Sequence, residues 1–254
     1  MSATHNHIKN FAYNQSVLDG KIILVTGAGD GIGRVVAKTY AKCGATVLLL
    51  GKTQSKLETL YDDIEAEGLP TPAILPMDLA TADFALMRAT ADLIEREFGR
   101  LDGLLHNAGV LGQLAPLEMY DPIGFERVLR VNMTSNFLLT QTLLPLLKQS
   151  NNASVVFTTS TVGHDLRPFW GAYALSKQGV EGLMTLFHSE TKNHTSLRFN
   201  CINPGATRTN MRAHAYPGED PMTLKTPDEL MAGYVALMAD DFADVRGQVV
   251  DLQI

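Results

Sequence analysis

Residues 21–33 of this chain, KIILVTGAGDGIG, decide its fold. The apolar run from Lys21 to Thr26 predicts a buried strand, the glycines predict a tight turn, and the amphipathic stretch from Ile32 to Cys43 predicts a helix. Glycines at a strand-to-helix turn let the backbone approach a pyrophosphate closely, and the helix N-terminus offers free N–H groups. We therefore expect a dinucleotide site rather than a purely structural turn, formed by Gly27, Asp30, Gly31, Ile32 and Gly33.

The same alternation of strand and helix continues to the end of the chain. Further strands are predicted at Ala45–Leu50, Ala73–Met77, Leu101–His106, Ser154–Thr159, Leu197–Ile202 and Gln248–Leu252. Further helices are predicted at Ser55–Gly68, Ala82–Phe98, Ile123–Lys148, Tyr173–Lys192 and Pro227–Asp240. Almost continuously apolar strands separated by helices are typical of a parallel sheet covered on both faces. The expected class is α/β: a single-domain Rossmann fold with a doubly wound parallel sheet of about seven strands.

The domain organisation follows from the absence of a linker in this alternation. Residues 1–16 form a polar N-terminal leader, and residues 17–254 are expected to be one dinucleotide-binding and catalytic domain. Residues 210–226, from Asn210 to Thr226, show no periodicity and contain Pro217, Gly218 and Pro221. Such a segment is usually a functional loop or lid, here over the substrate, although a plain surface excursion is the alternative.

Composition excludes several classes of protein. Of 254 residues, 45% are hydrophobic and 19% charged, and the formal net charge is -6, which disfavours both disorder and nucleic-acid binding. No signal-peptide core and no apolar run near the ~18 residues of a membrane span occur, so we expect a cytoplasmic protein without membrane contact. Cys43 and Cys201 lie in apolar stretches and are expected to be buried thiols, and no metal site is expected.

A cluster of motifs resembles one enzyme family. Its members carry TGxxxGxG, matched by the glycine loop, and NNAG, matched by Asn107, Ala108 and Gly109 with His106 in place of the first Asn. Asn132, Ser160 placed 13 residues before Tyr173, and the pair Tyr173 and Lys177 follow in the family's order, and then Pro204, Gly205 and Thr209. From Leu18 to Leu252, the chain resembles the short-chain dehydrogenase/reductase family. Residues 200–213, NCINPGATRTNMRA, and the later EDP and LKTP runs resemble a bacterial oxidoreductase branch of it.

The side chains of the catalytic set argue for acid–base chemistry. Tyr173 and Lys177 are four residues apart and share a helix face, so the ammonium is expected to lower the pKa of the phenol. Tyr173 would protonate a carbonyl oxygen as hydride arrives, and Ser160 would stabilise the developing charge. The resemblance implies that Lys177 also holds ribose hydroxyls, that Asn132 supports a proton-relay water, and that the protein is a homodimer or homotetramer built on the long helices.

Cofactor choice depends on the residues after the second strand. Lys52 and Thr53 stand where an acid would bind the ribose of NAD, and a cation there can pair with the 2′-phosphate of NADP. We expect NADP(H), with NAD(H) the less favoured alternative. Arg34 either helps to bind the 2′-phosphate or is solvated. The negative charge of Asp30 weakly disfavours a phosphate nearby, unless its side chain caps the helix. The resemblance also places Asp78 and Leu79 at the adenine, and Asn107, Ala108, Gly109, Tyr173, Lys177, Pro204, Gly205, Thr207 and Thr209 along the cofactor.

The substrate is expected to be a small carbonyl or alcohol compound. Its pocket walls are predicted at Gly109–Leu114, Val162–Trp170 and the 210–226 segment. Phe169 and Trp170 favour an apolar compound, although a packing role for the tryptophan is an equal alternative. A second hypothesis is an NADP(H)-binding sensor or scaffold with little turnover. The complete catalytic set argues against it, because cofactor binding alone would not require Tyr173 and Lys177 together.

Overall fold

All strands of the computed structural model, which describes residues 3–253, belong to one parallel sheet. The strands are β1 (Ile22–Thr26), β2 (Thr46–Gly51), β3 (Ala73–Pro76), β4 (Gly103–His106), β5 (Ala153–Thr158), β6 (Leu197–Asn203) and β7 (Val249–Asp251). Their order is β3-β2-β1-β4-β5-β6-β7, and each neighbouring pair is parallel. The expected doubly wound sheet of about seven strands is confirmed.

Helices cover both faces of this sheet. They are α1 (Ala3–Lys9), α2 (Gly31–Lys42), α3 (Gln54–Ala66), α4 (Phe84–Phe98), α5 (Pro122–Leu129), α6 (Ser135–Leu147), α7 (Thr161–His164), α8 (Gly171–Thr191), α9 (Asn210–Ala215) and α10 (Met231–Met238). Side chains of α2 and α10 pack on one face of the strands, and those of α4, α6 and α8 pack on the other. The alternating strand residues are therefore buried on both sides, which explains the nearly continuous apolar runs.

The predicted long helix over 123–148 is interrupted by a π turn. α5 ends at Leu129, residues Arg130–Thr134 form the wider turn, and α6 begins at Ser135. Such turns insert one extra residue into a helix and are frequent at functional sites. This one carries Asn132, whose side chain is fully buried.

The N-terminal segment differs from the expected polar leader. Helix α1 contacts α10, Ile8 is completely buried in the core, and Phe11 packs edge-on against Phe242 with 5.0 Å between ring centroids. The few apolar side chains in an otherwise polar stretch thus complete the core beside α10, so the boundary expected at residue 17 is wrong as a structural division. Met1, Ser2 and Ile254 lie outside the described residues.

The segment over 210–226 is more ordered than its lack of periodicity predicted. Thr209 caps α9 by accepting a hydrogen bond from the amide of Arg212, and a 3-10 turn follows at Pro221–Thr223. Arg212 donates to both carboxylate oxygens of Glu219, each at 2.6 Å. A bidentate pair of this kind fixes the segment even though no apolar stripe runs through it.

Two remaining features concern thiols and membranes. Cys43 and Cys201 are both buried and unbonded to each other, as expected. No helix among residues 3–253 is both long enough and apolar enough to cross a membrane.

The burial of Ile8 predicts that the N-terminal segment contributes to stability. Ile8→Ala removes buried apolar volume and is expected to lower the free energy of unfolding by about 2–4 kcal/mol. Ile123→Ala, at a side chain that is 77% exposed, is the matched control and should change stability by less than about 0.5 kcal/mol. Urea unfolding of both variants measures the difference, and equal midpoints would show that α1 contributes nothing to the core.

Candidate active site

A cleft opens at the carboxyl ends of the strands, where the strand order reverses between β1 and β4. Its volume is about 440 Å³, and its walls come from the loops that follow the first six strands, β1 to β6. In open α/β sheets this reversal point is where ligands bind, because the loops on either side turn in opposite directions. The single sheet therefore supplies one main binding crevice.

The floor of the cleft is held together by Thr26 at the end of β1. The Thr26 hydroxyl accepts hydrogen bonds from the amides of Asn107 and Ala108, both at 3.0 Å, and contacts the carbonyl of Leu105 at 3.3 Å. Thr26 is fully buried, so water cannot replace these bonds. One side chain thus fixes the glycine loop relative to the loop after β4.

The glycine loop has the close backbone approach that a dinucleotide requires. Gly27 has a φ of 70°, and a Cβ there would lie 2.9 Å from the Cα of Ala108. A Cβ on Gly33 would lie 2.3 Å from the carbonyl oxygen of Gly27, so the first turn of α2 can pack here only without a side chain. The N-terminus of α2 is consequently presented at the cleft, which fits a pyrophosphate group.

Most predicted site residues line this cleft. They are Gly27, Asp30, Gly31, Ile32, Lys52, Thr53, Asp78, Leu79, Asn107, Ala108, Gly109, Ser160, Tyr173, Lys177, Pro204, Gly205, Thr207 and Thr209. Gly33 and Asn132 are not among the lining residues. Gly33 lies behind the wall as a packing position, and Asn132 supports the wall from the π turn.

Three side chains converge at the catalytic end. Ser160 follows β5 and its side chain lies near the Tyr173 hydroxyl, while Tyr173 and Lys177 project from the same face of α8. The Lys177 ammonium donates to the carbonyl oxygen of Thr158 at 2.7 Å and lies 5.5 Å from the centroid of the Tyr173 ring. Helix α7, which begins just after Ser160, packs tightly on α8: a Cβ on Gly163 would lie 3.0 Å from Lys177.

The expected lowering of the Tyr173 pKa is wrong for this arrangement. Burial raises the pKa of Tyr173 to about 12, and the nearby Ser160 side chain opposes this only in part. Burial also lowers the pKa of Lys177 to about 8. Removing both groups from water disfavours their charged forms, and in this geometry that effect outweighs their attraction. The phenol is therefore neutral, a proton donor, at neutral pH.

Asn132 is held by a complete set of hydrogen bonds. Its carbonyl oxygen accepts from the amide of Val110 at 2.8 Å, and its amide donates to the Val110 carbonyl at 2.9 Å and to the Ser176 hydroxyl at 3.0 Å. It thereby joins the loop after β4 to α8 between Tyr173 and Lys177. The role of supporting a proton-relay water stays a prediction.

A second lysine, not predicted from the sequence, lies at the end of the cleft next to β2. The Lys56 ammonium is 2.5 Å from the carboxylate of Asp30, which also accepts from the amide of Gly31 and caps α2. Lys56 lies in the first turn of α3, four residues after Lys52, and its nearness in sequence to the predicted phosphate position could have revealed it. Arg34 instead pairs with Asp63 at 2.6 Å and is not a cleft residue.

An aromatic row crosses the other end of the cleft. Trp170 lies 5.8 Å from the ring of Tyr173 and 5.8 Å from the ring of Tyr216, and the Arg212 guanidinium stacks on Tyr216 at 3.7 Å. Trp170, Arg212 and other residues of α9 line the cleft. The sequence left open whether Trp170 packs against other residues or lines the substrate pocket. In the structure it packs between two tyrosines and also forms part of the cleft wall.

Comparison with known proteins agrees with the geometry. The family model described as short chain dehydrogenase matches residues 21–220. The chain belongs to the short-chain dehydrogenase family. The dehydrogenase is 47% identical over 239 residues to the uncharacterized oxidoreductase YciK of Escherichia coli (strain K12), which covers 94% of this chain and 94% of YciK. The expected bacterial branch is thus confirmed.

Solved structures of similar dehydrogenases include cofactor complexes. A short chain dehydrogenase from Escherichia coli CFT073 complexed with NADPH is 47% identical, with a TM-score of 0.92 over 95% of this chain and 100% of that one. A second, from Shigella flexneri 2a str. 301 complexed with NADP, is 46% identical, with a TM-score of 0.92 over 95% of this chain and 100% of that one. The dehydrogenase is accordingly an oxidoreductase by family.

The buried contacts of Thr26 predict a coupling between stability and cofactor binding in this dehydrogenase. Thr26→Val leaves two partly buried amides without their acceptor and should cost about 1–3 kcal/mol of unfolding free energy. Thr26→Ser keeps the hydroxyl and should bind NADPH as the wild type does. Urea unfolding and fluorescence titration with NADPH measure both variants, and normal NADPH affinity in the valine variant would contradict the coupling.

Proposed function

We propose that this oxidoreductase transfers hydride between NADP(H) and a carbonyl or alcohol substrate, with Tyr173 as general acid/base. The observation that carries the proposal is the convergence of Ser160, Tyr173 and Lys177 on one wall of a cleft whose glycine loop fits a dinucleotide. NADPH, when bound, supplies the hydride for reduction. Side chains of this protein would transfer the proton and stabilise the developing charge.

Tyr173 moves the proton in this scheme. Its pKa of about 12 keeps the hydroxyl protonated near neutral pH, so it can donate to the carbonyl oxygen of a substrate. Ser160 places a second hydroxyl beside the same oxygen and stabilises negative charge that develops there. Once the proton has left, the Lys177 ammonium lies close enough to stabilise the phenolate until it is reprotonated. Oxidation of an alcohol would use the same groups in reverse.

The preference for NADP(H) rests on the cations beside β2. Lys52 and Thr53 are exposed at the cleft, and among residues 3–253 no acid pairs with Lys52. Lys56 neutralises Asp30, which removes the objection that this carboxylate would repel a 2′-phosphate. The two relatives crystallised with NADPH and NADP support the same choice. Although the net charge of the chain is -6, these cations would thus bind the 2′-phosphate at one local position.

The catalytic end favours an apolar substrate. Phe169 is 58% exposed although its φ is 74°, a conformation that is strained for a bulky residue. Its carbonyl accepts a hydrogen bond from the amide of Ala115, close in sequence to the exposed Leu117 and Met119, and the residue after it, Trp170, lines the cleft. Exposed apolar side chains grouped at a site usually meet an apolar partner. We propose a ketone or alcohol with a hydrophobic body, enclosed by the 210–226 lid.

We also propose that the protein assembles as a homodimer or homotetramer through α6 and α8. Phe137 on α6 and Leu175 and Leu186 on α8 are large apolar side chains left exposed on these helices. Burying them between copies of the chain would remove apolar surface from water.

Replacing Tyr173 with Phe tests the proposed acid. Tyr173→Phe should lower kcat for NADPH-dependent reduction by about 100-fold or more, while NADPH still binds. Tyr61→Phe, outside the cleft on α3, is the matched control and should keep full activity. Activity is assayed with a series of ketones of increasing apolar size and with the corresponding alcohols. Full turnover by Tyr173→Phe would overturn the assignment, and tight NADPH binding with no turnover by the wild type would favour the sensor hypothesis.

Replacing the two lysines tests the cofactor preference. Lys52→Ala removes a charge-assisted contact to the 2′-phosphate and should weaken NADPH binding about tenfold, with NADH binding unchanged. Lys56→Ala frees the Asp30 carboxylate and should also weaken NADPH selectively. Lys148→Ala, exposed at the end of α6, is the control. Titrations of both cofactors measure the ratio, and an unchanged ratio in Lys52→Ala contradicts the role of Lys52.

A further inference from the structure

Glu181, one helical turn after Lys177 on α8, holds both ends of the loop that carries Ser160. Its Oε1 accepts a hydrogen bond from the hydroxyl of Thr159 at 2.5 Å, and its Oε2 lies 3.1 Å from Nδ1 of His164. Thr159 directly precedes Ser160, and His164 is the last residue of α7. One carboxylate therefore joins the residues on either side of the catalytic serine.

The loop between these two contacts is short and tightly packed. The Ser160 carbonyl accepts from the amide of Gly163 at 2.8 Å, and Gly163 packs directly against Lys177. The amide of Thr159 donates to the carbonyl of Ile202 on β6 at 2.8 Å. The loop has little other freedom, so a change at Glu181 is transmitted to the direction of the Ser160 hydroxyl.

The charges around Glu181 give its carboxylate a definite dependence on pH. From α7 it faces His164, from β7 it faces Asp251, from β6 it faces the thiol of Cys201, and on its own helix Lys177 stands one turn before it. Burial and Asp251 raise the pKa of Glu181, while Thr159 and His164 oppose the rise. Protonation as pH falls removes an acceptor, and Thr159 and His164 can then no longer both donate to this group.

We propose that Glu181 is a positioning residue that aims the Ser160 hydroxyl at the substrate oxygen by holding Thr159 and His164 at once. This inference rests on the proposed function, because the position of Ser160 matters only if the serine serves the reaction. Glu181 is not among the residues that line the cleft, so it would act through the residues it holds. A change at Glu181 should therefore alter kcat rather than cofactor binding. The contribution of its carboxylate should appear on the acidic side of the kcat–pH profile.

The test compares Glu181→Gln with Glu190→Gln, an exposed glutamate later on the same helix. Glu181→Gln keeps the size of the side chain but cannot accept from both partners as the carboxylate does. We expect kcat to fall about tenfold, as for a slightly misplaced catalytic group, with the KM for NADPH unchanged. The acidic limb of the kcat profile should disappear, and His164→Asn should lower kcat by a smaller factor. Glu190→Gln should match the wild type in all these measurements.

A second measurement is independent of turnover. Hydrogen exchange of the peptide that spans residues 159–165 should be faster in Glu181→Gln than in the wild type or Glu190→Gln, because the Gly163 amide loses protection. Unchanged exchange, an unchanged kcat, or a reduced kcat that retains the acidic limb would each overturn the positioning role. If the wild type turns over no substrate, the proposed function fails, while exchange still shows whether Glu181 holds the loop.

Discussion

The site depends on one constraint, the reversal of strand order between β1 and β4. Parallel strands bring all their carboxyl ends to one edge, and only at the reversal do two neighbouring loops diverge enough to leave a crevice. Thr26 bridges the two strand ends at this point with a buried hydroxyl. The glycine loop, the loop after β4 and the start of α2 are all placed relative to that bridge. Catalytic groups from β5 and α8 then need only reach the same edge.

The two ends of the crevice differ in how far burial affects their ionisable side chains. At the end that holds Tyr173 and Lys177, burial raises the pKa of the phenol and lowers the pKa of the ammonium, so the proton is kept on the phenol at neutral pH. At the other end Lys52, Lys56 and Asp30 are substantially exposed. Their charged forms carry little desolvation cost there, because water solvates them. Under the proposed function, proton transfer and recognition of the 2′-phosphate would thus take place at different depths of the same crevice.

Much of this could be predicted from the sequence, because it is encoded locally. The glycine loop, the apolar strands and the spacing of Ser160, Tyr173 and Lys177 are short patterns with direct physical meaning. Features that depend on partners far along the chain could not be read in this way. Ile8 is buried by α10, more than 200 residues later, and no local pattern in a polar segment shows that. The raised pKa of Tyr173 comes from desolvation by surrounding residues, which spacing along a helix does not reveal.

The π turn at Arg130–Thr134 limits how this chain can vary in length. The turn accommodates one extra residue as a bulge, and this places Asn132 opposite Val110 and Ser176 while Leu139 and Leu143 still face the core. Deleting one residue from this turn would restore a regular helix with the later side chains of α6 facing as before, but Asn132 would lose its place opposite Val110 and Ser176. Single-residue deletions should therefore be absent from this stretch in active relatives.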